Sequence, residues 1–203
     1  MALPRYLLVC TSLGLSLTIC AFNSTSANSQ TVVKVVDVAQ SSSISSAENQ
    51  SEDFYNQAID LVSIQKYEQA IALYDQAIKL DSKFAKAWYN RGNALSKINR
   101  YEDAIKSYNT AIEINPRYAK AWVNRGFALC ELELYEDSIK SYDTAIEINS
   151  RDADIWTNRG IVLVRLKRYE DAIKSFDTAI EINPNLEIAI NNRRELLRRL
   201  GKQ

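Results

Sequence analysis

The hydrophobic positions of the chain from residue 51 onward follow the period of an α-helix, and this helical pattern itself recurs. In the stretch AWYNRGNAL, Trp88, Gly92 and Leu95 fall at i, i+4 and i+7, which places them on one face of a helix. The stretch returns with Trp122 and again with Trp156, at a spacing of 34 residues each time. The pattern therefore predicts one helix that is repeated on a fixed period.

A second recurring stretch follows the first. YEDAIKSYNTAIEINP at 101–116 returns at 135–150 and 169–184, and a fainter copy occupies 67–82. Its apolar residues have helical spacing too, and Pro116 and Pro184 end it because proline cannot continue a helix. Each unit is therefore predicted to be a pair of helices. The expected units are 51–84, 85–118, 119–152 and 153–186.

The small residues of the pattern indicate how the helices pack. Gly92, Gly126 and Gly160 lack a side chain, so that a second helix can approach closely at these points. One helical hairpin cannot bury its apolar stripe alone, whereas stacked neighbours bury it together. We therefore expect an all-α fold, an α-solenoid of stacked antiparallel helix pairs.

These motifs resemble the tetratricopeptide repeat family. The W-x-x-R-G-x-x-L stretch, the later small and aromatic residues and the closing proline match the 34-residue signature of that family over about 51–186. The first repeat departs from the signature, with Phe54 for the tryptophan and Ala58 for the glycine, and the third closes with Ser150 instead of proline. The resemblance implies a superhelix in which the first helix of each repeat lines the concave side.

The C-terminal stretch continues the same register. Ile190 and Leu197 fall where tryptophan and leucine stand in the repeats, but Arg194 replaces the glycine. We therefore expect residues 187–203 to form a capping helix that shields the end of the array from water. Four arginines are expected to face solvent: Arg193, Arg194, Arg198 and Arg199.

The N-terminal part has a different composition. Residues 1–27 carry Arg5, an apolar run from Leu7 to Phe22 and then small residues, which is the layout of a secretory signal peptide. We expect cleavage after Ala27, export to a periplasm, an organelle lumen or the extracellular space, and no membrane span in the mature protein. The alternative is an uncleaved N-terminal anchor. The Ser-rich residues 28–50 are predicted to be a disordered linker.

Composition restricts the possible chemistry. The chain contains no histidine, which excludes Ser-His-Asp and Cys-His nucleophile systems and every histidine-ligated metal site. The acidic pairs such as Glu102 and Asp103 recur once per repeat and therefore belong to the scaffold. We predict no catalytic activity, no cofactor and no bound metal. The 25 basic and 25 acidic residues balance, so nothing indicates a nucleic-acid partner.

An asparagine recurs on the first helix of every unit, and basic and aromatic residues share its face of the helix. Its amide can both donate to and accept from an extended peptide backbone. By helical spacing Lys86 and Lys120 share this face, beside Tyr55, Val123 and Thr157. The predicted groove residues are Asn56, Asn90, Asn124, Asn158, Asn192, Lys86, Lys120, Tyr89, Asn93 and Phe127. The alternative is that asparagine is only a tolerated polar residue at this position.

The predicted function is binding of another protein. We expect an exported adaptor that holds a peptide segment with acidic or C-terminal carboxylate groups. The wide range of functions in the family that the chain resembles suggests a role in assembling a membrane or envelope complex. The carboxylate clamp that some family members use for chaperones is not expected, because Tyr55 and Asn158 stand where two of its basic residues would be.

The alternative is a self-associating structural protein in which Phe54, Tyr55 and Ile59 meet a second copy. Arg91, Arg125 and Arg159 are expected to bridge to acidic side chains of a neighbouring helix.

Overall fold

The computed structural model describes residues 48–201, which form nine helices in sequence. The helix α1 occupies 48–63, and eight more follow, namely α2 (Tyr67–Leu80), α3 (Ala85–Lys97), α4 (Tyr101–Ile114), α5 (Ala119–Glu131), α6 (Tyr135–Ile148), α7 (Ala153–Arg165), α8 (Tyr169–Ile182) and α9 (Glu187–Arg199). No strand occurs among these described residues. The all-α solenoid predicted from the sequence is confirmed.

The helices pack in chain order and form two rows. Each helix from α2 onward contacts its successor, and the strongest pairings are within hairpins, α3 with α4, α5 with α6 and α7 with α8. Successive odd-numbered helices from α3 to α9 also contact each other. We call the odd-numbered helices the inner row and the even-numbered helices the outer row. The inner row presents the first helix of each repeat on one continuous face.

The glycines of the inner row lie against aromatic rings of the outer row. A Cβ atom at Gly92 would lie 2.5 Å from Tyr108, and one at Gly160 would lie 2.5 Å from Phe176. Ser138 also faces a glycine, because its hydroxyl donates a 2.6 Å hydrogen bond to the carbonyl of Gly126. The close approach predicted at these glycines is present, and the group that lies against each of them is a buried aromatic ring.

The turn inside each hairpin carries a residue in the left-handed backbone region. The φ angles of Gln65, Asn99, Glu133 and Lys167 lie between 59° and 61°, and these four positions are 34 residues apart. In the second hairpin the amide of Arg100 bonds to the carbonyl of Leu95, which closes the end of α3. Such a helix ending usually contains glycine. Three of the four positions here hold neither glycine nor asparagine, namely Gln65, Glu133 and Lys167.

The two ends of the array differ from the expected boundaries in detail. Residues 48–50 are helical and belong to α1, although we predicted them as part of the linker. The buried hydroxyl of Ser51 donates to the carbonyl of Ala77 and fixes this helix to α2. The predicted signal peptide and the linker up to residue 47 lie outside the described residues. No helix within residues 48–201 has both the length and the apolar character needed to cross a bilayer.

The C-terminal helix α9 packs on α8 as the predicted cap does, and one of its arginines has a partner that the sequence did not predict. Arg193 keeps 38% of its side chain exposed and bonds to Asp177 on α8. Arg198 and Arg199 are exposed and pair with Glu195 on their own helix. Arg193 repeats the register of the arginines that precede the glycines, and this register aims its side chain at the outer row.

Candidate functional site

The inner row carries three lines of side chains that run from repeat to repeat. On α3 they are Lys86, Asn90 and Asn93, which lie at i, i+4 and i+7, with Lys97 one turn further on. Equivalent positions on the other inner helices are 34 residues away. A molecule bound along the inner row would therefore meet these lines in order.

A cavity of about 740 Å³ opens on the inner row between α1, α3 and α5. Its apolar and aromatic lining consists of Ile59, Val62, Tyr74, Ala94, Tyr101, Tyr108 and Phe127. Its polar lining consists of Asn90, Asn93, Ser96, Lys97, Asn99 and Asn124. The size is within the range of about 300–1,000 Å³ that is typical of ligand pockets. Polar amides beside exposed apolar side chains make this the candidate functional site.

The asparagines of the cavity are fixed by tyrosine hydroxyls of the preceding repeat. The amide nitrogen of Asn90 donates to the hydroxyl of Tyr55 at 2.9 Å, and that of Asn124 donates to Tyr89 at 3.1 Å. Asn124 also donates to Oδ1 of Asn93 at 2.7 Å. These bonds connect successive inner helices and hold the amide groups in one orientation before any partner binds.

The hydroxyl of Tyr108 completes this network at the bottom of the cavity. It donates to Oδ1 of Asn93 at 3.0 Å and lies 3.1 Å from the hydroxyl of Ser96. Burial raises the pKa of Tyr108, and burial also raises the pKa of Tyr55. Both phenols therefore stay protonated at neutral pH and keep their capacity to donate and accept hydrogen bonds.

The network is confined to the N-terminal half of the inner row. The position that holds Tyr55 and Tyr89 in the first two repeats is occupied by Val123 in the third and Thr157 in the fourth. Thr157 is only 1% exposed, and its hydroxyl bonds to the carbonyl of Ala153 in its own helix. The prediction that Thr157 lines the groove is wrong, because its short side chain turns back to the helix backbone.

Aromatic packing shows the same asymmetry. The ring of Tyr55 packs on Phe84 with a centroid separation of 4.8 Å, and Tyr89 packs on Tyr118 at 4.9 Å. Burial raises the pKa of Tyr118 to about 12. Asp152 and Leu186 occupy the positions of Phe84 and Tyr118 in the later repeats. The first half of the inner row therefore differs in chemistry from the second.

The structure brings some of the predicted groove residues together and separates others. Asn90, Asn93, Asn124 and Phe127 line the cavity. The other six predicted residues lie on the inner row outside it; they are Asn56, Asn158, Asn192, Lys86, Lys120 and Tyr89. Lys86, Lys120 and Asn56 are exposed, and Tyr89 and Asn158 are half-buried. Asn192 bonds to the carbonyl of Ile188 and lines a separate cleft of about 200 Å³.

Sequence reasoning missed the parts of the cavity that lie away from the asparagines. Val62, Tyr74, Lys97 and Tyr101 line it, and none of them was predicted to do so. Lys97 follows Asn93 by four residues, so helical spacing alone is a signal that could have found it. Tyr101 begins an outer helix, and its place in the cavity depends on how the hairpin closes.

The recurrent arginines are held inside the array and do not line the cavity. Nε of Arg91 donates to Asp75 at 2.6 Å, and Nε of Arg159 donates to Asp143 at 2.6 Å. The expected bridge to an acidic side chain of a neighbouring helix is confirmed for these two. In the third repeat Arg125 donates to the amide oxygen of Asn109 instead. The same arginines also donate to serine hydroxyls of their own repeat: Ser107, Ser141 and Ser175.

The recurrent tryptophans join each repeat to the preceding one. Nε1 of Trp88 donates to the carbonyl of Ser82, and Trp122 and Trp156 make the equivalent bond to Pro116 and Ser150, at 3.0 Å in all three. An arginine guanidinium lies over each tryptophan ring at 5.6–5.9 Å from its centroid. The fixed spacing of tryptophan and arginine in the sequence is therefore explained by contacts between repeats.

Two of the residues that were expected to meet a second copy pack within the chain itself. Phe54 and Tyr55 are half-buried in the first hydrophobic cluster of the array. Ile59 is 40% exposed, but it lines the cavity.

Comparisons with known proteins agree with this architecture. Models described as tetratricopeptide repeat match residues 85–118, 153–186 and 107–140, and a model described as TPR repeat matches 60–99 and 128–167. Together these matches span residues 60–186. A search of curated proteins found no match.

Several solved structures have a similar fold. A crystal structure of MamA protein has a TM-score of 0.71 at 20% identity and covers 75% of this chain and 84% of its own. The MamA 41-end structure from Desulfovibrio magneticus RS-1 has a TM-score of 0.71 at 14% identity and covers 75% and 86%. The first TPR of Spaghetti (RPAP3), bound to the HSP90 peptide SRMEEVD, has a TM-score of 0.57 at 25% identity and covers 60% of this chain and 96% of its own.

Proposed function

The chain belongs to the tetratricopeptide repeat family, and on this premise we propose that it is an adaptor that holds an extended segment of a partner protein against its inner row. The observation that carries the proposal is the cavity between α1, α3 and α5, where three asparagine amides face the same space as Phe127 and Ile59. Tetratricopeptide repeat folds are typically protein-interaction scaffolds rather than enzymes.

The amide network supports recognition of a peptide main chain. Both amide hydrogens of Asn124 bond to groups of the protein, so its Oδ1 is the atom best placed to accept from a peptide N–H. Asn90 uses one hydrogen for Tyr55 and keeps the other for a partner carbonyl. Because these side chains are already ordered, binding does not require them to lose further conformational freedom.

A peptide ligand is also the kind of partner that one similar structure holds. The Spaghetti (RPAP3) domain is bound to an HSP90 peptide whose sequence, SRMEEVD, ends in three acidic residues and one apolar residue. By analogy we propose an acidic segment as the ligand of this chain. The analogy concerns the class of ligand, since Tyr55 and Asn158 replace two basic residues of the clamp used by such domains.

Selection of peptides by the full-length protein tests the proposal. The protein is immobilised and a library of random peptides is selected for binding, and the best peptide is then titrated by fluorescence anisotropy. The variant Asn90→Ala, Asn124→Ala, Asn158→Ala is expected to bind more weakly, by about 0.5–1.5 kcal/mol for each net hydrogen bond that is lost. Asn185→Ala, in the exposed loop after α8, is the matched control and keeps full affinity. Equal affinity of the triple variant and the wild type would count against the groove.

We also propose that the adaptor acts after export and serves a complex at or beyond a membrane. The support is the composition of residues 1–27, with one basic residue, an apolar run and small residues. Expression in the native host followed by N-terminal sequencing checks this proposal. A mature protein that starts near residue 28 in an exported fraction supports it, and a protein that keeps residues 1–27 in the cytoplasm contradicts it.

A further inference from the structure

Two large apolar side chains face the cavity from helices on either side of α3. Ile59 on α1 is 40% exposed and Phe127 on α5 is 47% exposed, and both line the cavity. They occupy the same position in repeats one and three, whereas the second repeat has Asn93 there. The ring of Phe127 also meets Tyr101 edge-on at a centroid separation of 6.3 Å. Apolar walls of this kind gain free energy by covering an apolar side chain of a ligand.

The charge of the cavity comes from one side chain. Among the described residues that line it, Lys97 alone is charged. Lys97 is exposed and makes no ion pair within residues 48–201, in contrast to Lys106, Lys140 and Lys174 on the outer row, which pair with aspartates of their own helices. A cation in the last turn of α3 is favoured by the helix dipole, but this does not satisfy its full charge. It therefore remains available to a carboxylate of a ligand.

An acidic residue also lies near the cavity, on its α5 side. Glu131 is exposed, and it adds to the rise that burial causes in the pKa of Tyr101, a residue of the cavity lining. Glu131 lies at the last position of α5, one repeat after Lys97. Lys97 on α3 therefore attracts a ligand carboxylate, whereas Glu131 on α5 repels one.

We propose that this cavity is an anchor pocket for a bulky apolar side chain that has an acidic residue next to it in the bound peptide. Ile59 and Phe127 enclose the apolar side chain, and Lys97 pairs with the carboxylate. The asparagine network below holds the peptide main chain between them. This inference rests on the proposed peptide-binding function and adds the sequence class of the ligand.

The pattern of peptides selected by the full-length protein tests the inference. Selection from a random library is expected to enrich peptides in which a large apolar residue lies within two positions of Asp or Glu. Peptides that bind the cavity without either feature would overturn the anchor pocket and leave the adaptor function standing. A known peptide-binding domain, selected against the same library in parallel, is the positive control. If that domain yields peptides and this protein yields none, both the anchor pocket and the adaptor function are overturned.

A charge exchange distinguishes direct pairing from a structural role of Lys97. For a selected acidic peptide, Lys97→Glu is expected to weaken binding about tenfold or more. The same peptide with its acidic residue changed to lysine should regain affinity for Lys97→Glu and lose it for the wild type. Lys79→Glu, an exposed change in the last turn of the outer helix α2, is the control and does not show the exchange.

A variant of Phe127 tests the apolar wall that this residue forms with Ile59. Phe127→Ala is expected to remove the preference for a large apolar residue while the acidic preference stays. Circular dichroism of every variant verifies that the helices are intact, since both side chains are exposed and neither belongs to the buried core. Unchanged selection by Phe127→Ala together with no charge exchange at Lys97 would place the ligand elsewhere and overturn the proposal.

Discussion

Gly92 and Tyr108 lie so close together that no side chain fits between them. A Cβ atom at Gly92 would lie 2.5 Å from Cε1 of Tyr108, and that ring is only 1% exposed. The corresponding pair of the third repeat is looser, because a Cβ at Gly126 would lie 3.0 Å from the ring of Tyr142. The three glycines of one sequence motif are therefore not equivalent.

This difference predicts the order of the glycine-to-alanine variants. Gly92→Ala forces a buried ring to move and is expected to lower the free energy of unfolding by about 1–3 kcal/mol. In Gly126→Ala the tighter contact is offset by the better helix propensity of alanine, worth about 1 kcal/mol, so little net change is expected. Urea unfolding of both variants checks this, and a Gly92→Ala protein as stable as Gly126→Ala would contradict the packing described.

The left-handed turns predict where glycine should stabilise the protein. Glu133 and Lys167 have φ angles of 61° and 59°, in a region that costs a residue with a Cβ atom about 1–2 kcal/mol. Glu133→Gly and Lys167→Gly are each expected to raise the free energy of unfolding by about 1 kcal/mol. Lys174→Gly, within the exposed face of α8, is the control and should lower it by a similar amount. Thermal unfolding of the three variants gives the signs directly.

The arginines between repeats predict a cost for a substitution that keeps the charge. Arg159 donates to Asp143 and, through a second nitrogen, to Ser175 at 2.8 Å. A lysine amine cannot reach both groups in this geometry. Arg159→Lys is therefore expected to lower stability by about 1.5 kcal/mol, whereas Arg165→Lys at an exposed position should stay within about 0.5 kcal/mol. Denaturant midpoints that are equal for the two variants would show that the bridge contributes nothing.

The cap helix predicts a pH dependence. Hydrogen bonds from Arg198 and Arg199 lower the pKa of Glu195 from 4.5 to about 2. A depressed carboxyl pKa stabilises the fold fully above the unfolded value, and this contribution disappears as the pH falls through the folded value. The Tm of Glu195→Gln should therefore lie below that of the wild type at neutral pH, and the difference should shrink as the pH falls from 4.5 towards about 2. A difference that does not depend on pH would contradict the ion pair.

Much of the fold could be predicted because one period governs it. Helices α3, α5, α7 and α9 begin at residues 85, 119, 153 and 187, and the recurring stretches in the sequence have the same spacing. The ends of α4 and α8 follow from proline at 116 and 184, whereas α2 and α6 end at the equivalent position before serine. The helical state of residues 48–50 could not be derived in this way, since they precede the first recognisable repeat position and are composed like the linker.

The candidate site was less predictable because it depends on differences between repeats. The asparagine line suggested one uniform groove, but the bond from Asn124 to Tyr89 has no equivalent at Asn158, where Val123 replaces the tyrosine. The partner lies 35 residues earlier, on another helix, so that no local pattern reveals it. Thr157 similarly looks like a surface residue by spacing and is buried by a bond within its own helix.

The most direct test of the account observes the side-chain amides of the asparagines while a selected peptide is added. In a ¹⁵N-labelled protein, the signals of Asn90, Asn93 and Asn124 are expected to shift, because these groups line the cavity. The amides of Asn149 and Asn185, which are exposed in loops after the outer helices, should stay unchanged. Shifts confined to the loop asparagines, with the three cavity amides unaffected at saturation, would contradict the proposal that the inner row is the binding surface.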